Sequence, residues 1–337
     1  MASTPRSNGR IGRELEPIPG SGRSSAGSPS WAGLATLAAD VTDAPLPPIY
    51  VARAPVRILA SADGEPVALH DFGGPGPALL LGHGNGLNAG MWAAALPHLV
   101  GLGFHCYGLD LRGHGACRPT RVDYDTSRRR FAEDVLAAVD GIGGGPVAYA
   151  GHSLSGASGV LAALLRPAAF AALWVYEPVL TPAGAVRSGD DPALLAAATR
   201  KRRTEFASVD DAFGRLTSKP PFDRCDPAAV RGYLEIGTRP VDGRVRLTCR
   251  AEDEARVFGS VEALDFTRLA GLTVPVTVAY GAAAPPDVPG PGALAPLVAE
   301  ALDNARLERH EHLTHFGPME DGAAMARSIA TAVTPAG

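Results

Sequence analysis

The segment Gly151-His152-Ser153-Leu154-Ser155-Gly156 constrains the fold of this chain more than any other part of the sequence. A short apolar run at 146–150 precedes it, and a stretch of small residues with helical character follows it. A strand, a sharp turn and a helix in this order hold a serine hydroxyl clear of its own backbone, and small flanking residues let the strand and the helix approach closely. Ser155 replaces the second glycine of the G-x-S-x-G pattern, so the rest of the chain must decide whether Ser153 is a nucleophile.

Short apolar runs alternate with helical patterns from residue 55 onward. Two strand candidates, 56–60 and 67–72, flank Asp63-Gly64, a dipeptide that favours a hairpin turn. Further strands are predicted at 78–81, 104–109, 147–150, 173–176, 276–280 and 306–310, and helices at 91–100, 128–142, 155–165, 293–302 and 319–333. A hairpin followed by this alternation predicts an α/β fold with a mostly parallel central sheet and helices on both faces.

The alternation breaks between Thr181 and Arg268, where helical patterns occur around 194–206, 209–216, 228–236 and 252–258. This insertion predicts a helical cap at 181–268 on a core formed by 55–180 and 269–337. Residues 1–54 begin with a stretch rich in Ser, Gly, Pro and Arg, so we expect a disordered extension or, alternatively, an organelle transit segment.

Composition excludes some classes of function. The formal net charge is -4, which argues against a nucleic-acid-binding protein. No apolar run approaches the roughly 18–20 residues that span a bilayer, so no transmembrane segment is predicted. The expected location is the cytoplasm, or an organelle if the first segment is a transit peptide. We expect the charged triplets to lie on solvated helix faces: 128–130, 201–203 and 252–254.

The four cysteines have neither C-x-x-C spacing nor metal-ligand spacing with histidine. Free thiols are therefore expected, and a disulfide between Cys225 and Cys249 is the alternative. No metal site and no cofactor is predicted.

Four motifs occur in the order seen in the α/β-hydrolase superfamily, and residues 55–332 resemble that superfamily. The motifs are Leu-Gly-His-Gly-Asn-Gly at 81–86, Asp-Leu-Arg-Gly-His-Gly at 110–115, the turn at Ser153, and His-Leu-Thr-His-Phe-Gly-Pro at 312–318. The resemblance implies a Ser-His-acid triad, with Ser153 as the nucleophile. It also implies an oxyanion hole formed by the backbone NH groups of Asn85 and Leu154. Asp110 and Arg112 are implied to support a turn.

A serine hydroxyl becomes nucleophilic when a neighbouring imidazole takes its proton and a carboxylate orients that imidazole. In this superfamily the chain order is serine, acid, histidine. His315 satisfies the order and begins a loop that leads into the final helix, whereas His310 and His312 lie too close to the last strand. His315 is therefore the predicted base.

The acid departs from the usual pattern of the superfamily. Many members place it three residues beyond the glycine that ends the strand at 276–280, but Ala284 stands at that position. Glu177, directly after the strand at 173–176, and Asp287, in a Pro-rich loop, are the two substitutes. Glu177 is favoured, because a buried carboxylate at the end of an apolar strand needs a partner; Asp287 stays the alternative.

The identity of the nucleophile limits the class of reaction. Haloalkane dehalogenases and epoxide hydrolases resemble this fold but use aspartate at the turn, so Ser153 favours acyl chemistry. The predicted function is a serine hydrolase that acts on a small-molecule carboxylic ester or related acyl substrate through an acyl-enzyme. An acyltransferase and a catalytically impaired, ligand-binding relative are the alternatives.

Overall fold

The computed structural model describes residues 51–117, 121–183, 192–260, 262–283 and 290–334. The strands are β1 (Val56–Ala60), β2 (Pro66–Gly73), β3 (Ala78–Gly82), β4 (His105–Asp110), β5 (Val147–His152), β6 (Phe170–Tyr176), β7 (Thr181–Pro182), β8 (Glu205–Phe206), β9 (Thr238–Val241), β10 (Arg244–Leu247), β11 (Ala263–Leu264), β12 (Val276–Gly281) and β13 (Ala305–His310). The α-helices are α1 (Leu96–Gly101), α2 (Arg128–Ile142), α3 (Leu154–Leu165), α4 (Pro192–Arg200), α5 (Val209–Thr217), α6 (Pro227–Gly237), α7 (Ala251–Gly259), α8 (Ala295–Glu300), α9 (Gly317–Glu320) and α10 (Gly322–Val333).

One sheet of eight strands forms the centre, in the order β1-β2-β4-β3-β5-β6-β12-β13. Strand β2 is antiparallel to both of its neighbours, and the pairs from β4 to β13 are parallel. The predicted hairpin and the mostly parallel sheet are thus confirmed. Because β3, β5, β6 and β12 run in parallel, their carboxyl ends meet at one edge of the sheet, where the functional turns of such folds lie.

Helices cover both faces of the sheet, as predicted. The alternation of side chains along β3 shows why: Leu79 and Leu81 pack in a cluster with residues of α1 and α10, whereas Leu80 packs on the other face with residues of α2 and α3. All six residues of β5 are buried, which is typical of a parallel strand covered on both sides.

The segment between β7 and β11 contains the predicted helices α4 to α7, but it is not wholly helical. Strands β8, β10 and β9 form a small antiparallel sheet there. Asp242 and Gly243 both have positive φ angles, 49° and 72°, and join β9 to β10 in a tight turn. Where α6 packs on the core, a Cβ on Gly90 would lie 2.0 Å from the Gly232 carbonyl oxygen, so both glycines are needed for the close approach. The division into core and cap stays a prediction.

The described part of the chain begins four residues before the expected start of the core. Val51–Arg53 form a 3-10 helix, and Val51 is buried in the main cluster. Residues 1–50, which carry the predicted extension, lie outside the described residues. All four cysteines are free and buried, so the Cys225–Cys249 disulfide is absent. Within the described ranges, no helix has the length and apolar character that crossing a membrane requires.

Arg112 forms a fully buried ion pair beside the central sheet. Its guanidinium donates to Asp134 at 2.6 and 2.9 Å and to Asp63 at 2.8 Å. The side chains of Arg112 and Asp134 are both 0% exposed, and Asp134 lies on α2. The pair therefore links the turn after β4 to α2 and to the β1–β2 hairpin.

We expect Arg112→Met to lower the free energy of unfolding by about 3–5 kcal/mol, because it leaves the Asp134 carboxylate buried without its charged partner. Arg129→Met is the control, because Arg129 is 70% exposed and pairs with Glu133 at the surface. It should cost less than about 1 kcal/mol. Denaturant unfolding measures both changes, and equal losses for the two variants would contradict this account of the core.

Candidate active site

Ser153 lies between the last residue of β5 and the first residue of α3. Its backbone has φ 52° and ψ -107°, a conformation that L-residues rarely adopt. Such a conformation costs about 1–3 kcal/mol and persists only where the surroundings fix it. Here the Ser153 NH donates to the Tyr176 carbonyl at 2.9 Å, and the Ser153 carbonyl accepts from Ala157 at 3.0 Å. Strand β6 and helix α3 thus hold the serine in its turn.

Ser155 can replace the second glycine of the motif because Gly82, on the neighbouring strand β3, leaves room for its side chain. A Cβ on Gly82 would lie 2.6 Å from the Ser155 Cβ and 2.6 Å from the Tyr149 hydroxyl. Tyr149 donates to the Ser155 carbonyl at 2.8 Å. The glycine that this turn requires is therefore on β3 rather than at position 155.

Glu177 directly follows β6 and has a positive φ of 44°. Its NH donates to the Ala279 carbonyl on β12 at 2.8 Å, and its Oε1 accepts from the Gly281 NH at 2.9 Å. The residue is 2% exposed. The carboxylate is thus fixed at the carboxyl edge of the sheet, between β6 and β12.

His315 Nδ1 lies 2.6 Å from Glu177 Oε2. In the tautomer with the proton on Nδ1, this imidazole donates to Glu177 and leaves Nε2 as the basic nitrogen. The structure therefore brings together His315 and the favoured acid of the sequence analysis. Asp287 and Ala284 lie outside the described residues.

The loop that carries His315 is held by three other residues. Tyr176 donates its hydroxyl proton to the Thr314 carbonyl at 2.7 Å, and Glu320 binds the NH and the hydroxyl of Thr314. His152 Nε2 donates to the His315 carbonyl at 2.8 Å, and the two rings are tilted by 45° with centroids 4.7 Å apart. Burial holds the pKa of His152 well below its usual value, so this ring is neutral. The sequence analysis gave His152 no role.

The turn at 82–86 approaches Ser153 from the side of β3. A Cβ on Gly84 would lie 2.7 Å from His152 Nδ1 and 3.5 Å from the Ser153 Cβ. Among the described residues, the backbone NH groups of Asn85 and Leu154 have no hydrogen-bond partner. Leu154 is the first residue of α3, and NH groups in the first turn of a helix have no partner within the helix. Both residues line the cavity at Ser153.

Two neutral histidines support that turn. His83 Nε2 accepts from the Leu111 NH at 3.1 Å, and His114 Nε2 accepts from the Gly86 NH at 3.1 Å. Burial lowers the pKa of His83, and burial together with the neighbouring His83 lowers the pKa of His114 to about 3. Asp110 completes the support, because its carboxylate accepts from the Ala89 NH and the Ala116 NH, each at 2.7 Å.

A cavity of about 290 Å³ opens at Ser153 and His315. Most of its lining is apolar: Leu87, Leu154, Val179, Pro192, Leu195, Val257, Phe258, Pro291 and Phe316. Leu195, Val257 and Phe258 come from α4 and α7. Helices between β7 and β11 therefore form one wall of the cavity.

The expectation of solvated charged triplets is wrong for several residues. Arg128 is 8% exposed and lines the cavity, and Asp253 is 1% exposed. Glu254 also lines the cavity, and its carboxylate lies 2.5 Å from Arg202 Nε. Each triplet lies on a helix or at a helix end that is covered on one side, and triplet composition does not reveal which member faces inward.

Glu254 also contacts the turn beside Ser153. Its backbone carbonyl accepts from Asn85 Nδ2 at 3.0 Å. Gly86 has φ +77°, and a Cβ there would lie 2.5 Å from Glu254 Oε1. Burial raises the pKa of Glu254, although Arg202 opposes the shift. Helix α7 is thus attached to the turn that carries Asn85.

Comparison with known proteins identifies the superfamily. A sequence model of the family described as "Alpha/beta hydrolase family" matches residues 78–328. The chain belongs to the alpha/beta hydrolase family.

Individual relatives match over shorter stretches. Protein phosphatase methylesterase 1 of Mus musculus is 31% identical over 148 residues, which are 43% of this chain and 38% of that protein. Karrikin insensitive 2 receptor CA of Petunia hybrida is 32% identical over 97 residues, 28% of this chain and 36% of the receptor. The chain thus spans less than two fifths of either relative, as those coverages show. Among solved structures, a thioesterase domain from the curacin biosynthetic pathway has a TM-score of 0.65 at 20% identity, over 82% of this chain and 99% of that domain.

Because the pKa of His114 is low in the folded protein, we expect the free energy of unfolding to depend on pH. The unfolded chain takes up a proton on this histidine as the pH falls below about 6.5, whereas the folded protein stays neutral there down to about 3. The free energy of unfolding therefore rises with pH across this window. His114→Gln, which keeps an acceptor for the Gly86 NH, should reduce that slope by up to about 1.4 kcal/mol per pH unit. Denaturant unfolding at several pH values measures the slope. The same slope of unfolding free energy against pH in the wild type and in His114→Gln would contradict the low pKa of His114.

Proposed function

We propose that this protein hydrolyses carboxylic esters with Ser153 as nucleophile, His315 as general base and acid, and Glu177 as the carboxylate that orients His315. The observation that carries the proposal is the His315–Glu177 hydrogen bond of 2.6 Å beside a serine in a strained strand-to-helix turn. The hydroxyl, the base that takes its proton and the carboxylate that orients the base are then all supplied by residues at one edge of the sheet.

In the first half of the reaction, Ser153 Oγ attacks the ester carbonyl carbon while its proton passes to His315 Nε2. The carbonyl oxygen gains a negative charge, which the backbone NH groups of Asn85 and Leu154 stabilise. Preorganised donors of this kind contribute about 3 kcal/mol each. Collapse of the tetrahedral intermediate breaks the bond to the alcohol oxygen, which takes the proton from His315, and leaves an acyl group on Ser153.

In the second half, water attacks the acyl carbonyl and gives its proton to His315. The intermediate collapses, Ser153 recovers its proton, and the carboxylic acid leaves. Glu177 keeps its negative charge throughout, because its role is to hold the Nδ1 proton and to stabilise the imidazolium that forms in each half.

The cavity supports a substrate with a small or medium-sized apolar group. Its volume of about 290 Å³ is at the lower end of ligand pockets, and aliphatic and aromatic side chains form most of the lining. A methylesterase and a thioesterase domain are among the proteins to which this chain is similar, which favours an acyl substrate.

The similarity to a karrikin receptor favours a second candidate, a ligand-binding protein with little turnover. In the sequence, this alternative was supported by Ala284, which stands where many members of the superfamily have the acid of the triad. Glu177 weakens the argument, because it supplies His315 with a buried carboxylate from another strand. An acyltransferase would use the same acyl-enzyme with an alcohol or amine in place of water.

Ser153→Ala should abolish covalent labelling by a fluorophosphonate probe and reduce hydrolysis of short-chain nitrophenyl esters to the background rate. Both reactions need the Ser153 hydroxyl as nucleophile. Ser158→Ala is the matched control, because Ser158 is a buried serine of α3, the helix that follows Ser153, and its hydroxyl donates to the Leu154 carbonyl at 2.7 Å. Labelling of the Ser153→Ala protein would exclude the proposal, and labelling without turnover would favour the ligand-binding alternative.

Glu177→Gln should lower kcat by about 10²–10⁴-fold, because the amide does not stabilise the imidazolium and allows the wrong tautomer. Asp287→Asn is the comparison, and we expect kcat within about twofold of the wild type. Steady-state kinetics on one nitrophenyl ester measures both variants. The reverse order of effects would move the role of the acid to Asp287.

A further inference from the structure

A second cavity lies at the start of α7. It has a volume of about 500 Å³ and shares no lining residue with the cavity at Ser153. Its walls come from the loop after β4, from the end of α6 with β9, and from the start of α7. The lining residues are Gly115, Ala116, Cys117, Arg121, Val122, Ile236, Thr238, Arg239, Thr248, Arg250 and Asp253.

The lining of this cavity contains more positive than negative side chains. Arg121, Arg239 and Arg250 line it, against the single carboxylate of Asp253. That carboxylate is already bound at both oxygens by Arg250, at 2.5 and 2.8 Å. Arg121 lies at the rim, where it is mostly exposed and its Nε is 3.5 Å from the Glu65 carboxylate. Arg239 is therefore the guanidinium of the lining that has no carboxylate partner among the described residues.

Arg239 is the decisive residue. Its Nε is buried and has no hydrogen-bond partner, and the guanidinium forms no hydrogen bond or ion pair with any described residue. A buried donor of a permanently charged group is costly unless an acceptor binds it. By contrast, Arg246, its neighbour across the β9–β10 ladder, is paired with Glu205 at 2.8 Å. The other two arginines of the lining also have carboxylate partners, Arg250 with Asp253 at 2.5 Å and Arg121 with Glu65 at 3.5 Å. The unpaired Nε of Arg239 therefore favours an acceptor from outside the chain.

The two threonine hydroxyl groups in the lining already donate their protons to backbone carbonyls. Thr238 donates to the Leu234 carbonyl at 2.8 Å, and Thr248 donates to the Gly237 carbonyl at 3.3 Å. Among the described side chains of the lining, the donors without a protein acceptor are therefore guanidinium NH groups, which match the planar or tetrahedral oxygen geometry of carboxylate and phosphate. Ala116, Val122 and Ile236 supply an apolar surface for the organic part of a ligand.

We propose that this cavity binds a small organic oxyanion, a phosphate ester or a polycarboxylate, through Arg239 and Arg121. Its volume is within the range of small-molecule sites and larger than an inorganic ion requires. The site is separate from the catalytic cavity, although Asp253 and Glu254, adjacent residues of α7, each line one of the two cavities. The proposal does not depend on the esterase activity.

Isothermal titration calorimetry of the full chain with sodium phosphate and with citrate, at an ionic strength held constant with sodium chloride, tests the proposal. We expect saturable binding of at least one of the two anions. Preference for phosphate would identify a phosphate ester as the ligand class, and preference for citrate would identify a polycarboxylate.

Arg239→Gln should weaken this binding about tenfold or more, because it removes a charge-assisted donor. Arg244→Gln is the matched control: it removes the same charge from an exposed position on the adjacent strand, and affinity should stay within about twofold. Arg121→Gln provides a second test at the rim of the cavity, where Arg121 is 63% exposed and lies 3.5 Å from Glu65, and it should also weaken binding. Absence of saturable binding by the wild type, or equal weakening by Arg239→Gln and Arg244→Gln, would overturn the proposal.

Discussion

The hydrogen bonds made by Tyr176 and Glu177 are the constraint on which the rest of the site depends. The Tyr176 carbonyl accepts from the Ser153 NH, and the Tyr176 hydroxyl donates to the loop that carries His315. Glu177 then binds His315 through one carboxylate oxygen and the Gly281 NH through the other. The end of β6 therefore fixes the serine turn, the histidine loop and the adjoining strand β12 relative to one another.

This arrangement explains how a carboxylate at the end of β6 reaches His315. Strand β6 pairs with both β5 and β12, so a residue at its carboxyl end is adjacent to the serine turn on one side and to the end of β12 on the other. The positive φ of Glu177 turns the chain at this point. A glutamate there reaches the same imidazole that an acid after β12 would reach from the other side, and burial between two parallel strands keeps its carboxylate away from water.

Much of the core could be predicted from local patterns. Mostly apolar runs of four to six residues predicted the parallel strands in the middle of the sheet, because strands covered on both faces are continuously apolar. Glu177 could be proposed from its place at the end of such a run. The hairpin at Asp242-Gly243 was missed, although it carries the same turn signal as Asp63-Gly64. There the flanking strands are short and contain several arginines, so no apolar alternation marks them.

The two cavities and the contacts of His152 could not be predicted from sequence patterns, because they depend on packing between distant segments. Nothing near Arg128, Arg239 or Glu254 in the sequence indicates a cavity, because each wall combines segments that are far apart in the chain. The same is true of His152, whose bond to the His315 carbonyl joins residues 163 positions apart. Helix α7 lines both cavities, with Asp253 in one and Glu254, Val257 and Phe258 in the other.

Proton NMR in water tests the central claim, that Glu177 orients His315, most directly. A strong hydrogen bond between an imidazole Nδ1–H and a carboxylate shifts the proton far downfield of the amide region. We predict such a resonance in the wild type and in Asp287→Asn, and its loss or upfield shift in Glu177→Gln. A downfield resonance that persists in Glu177→Gln and is lost in Asp287→Asn would contradict the account.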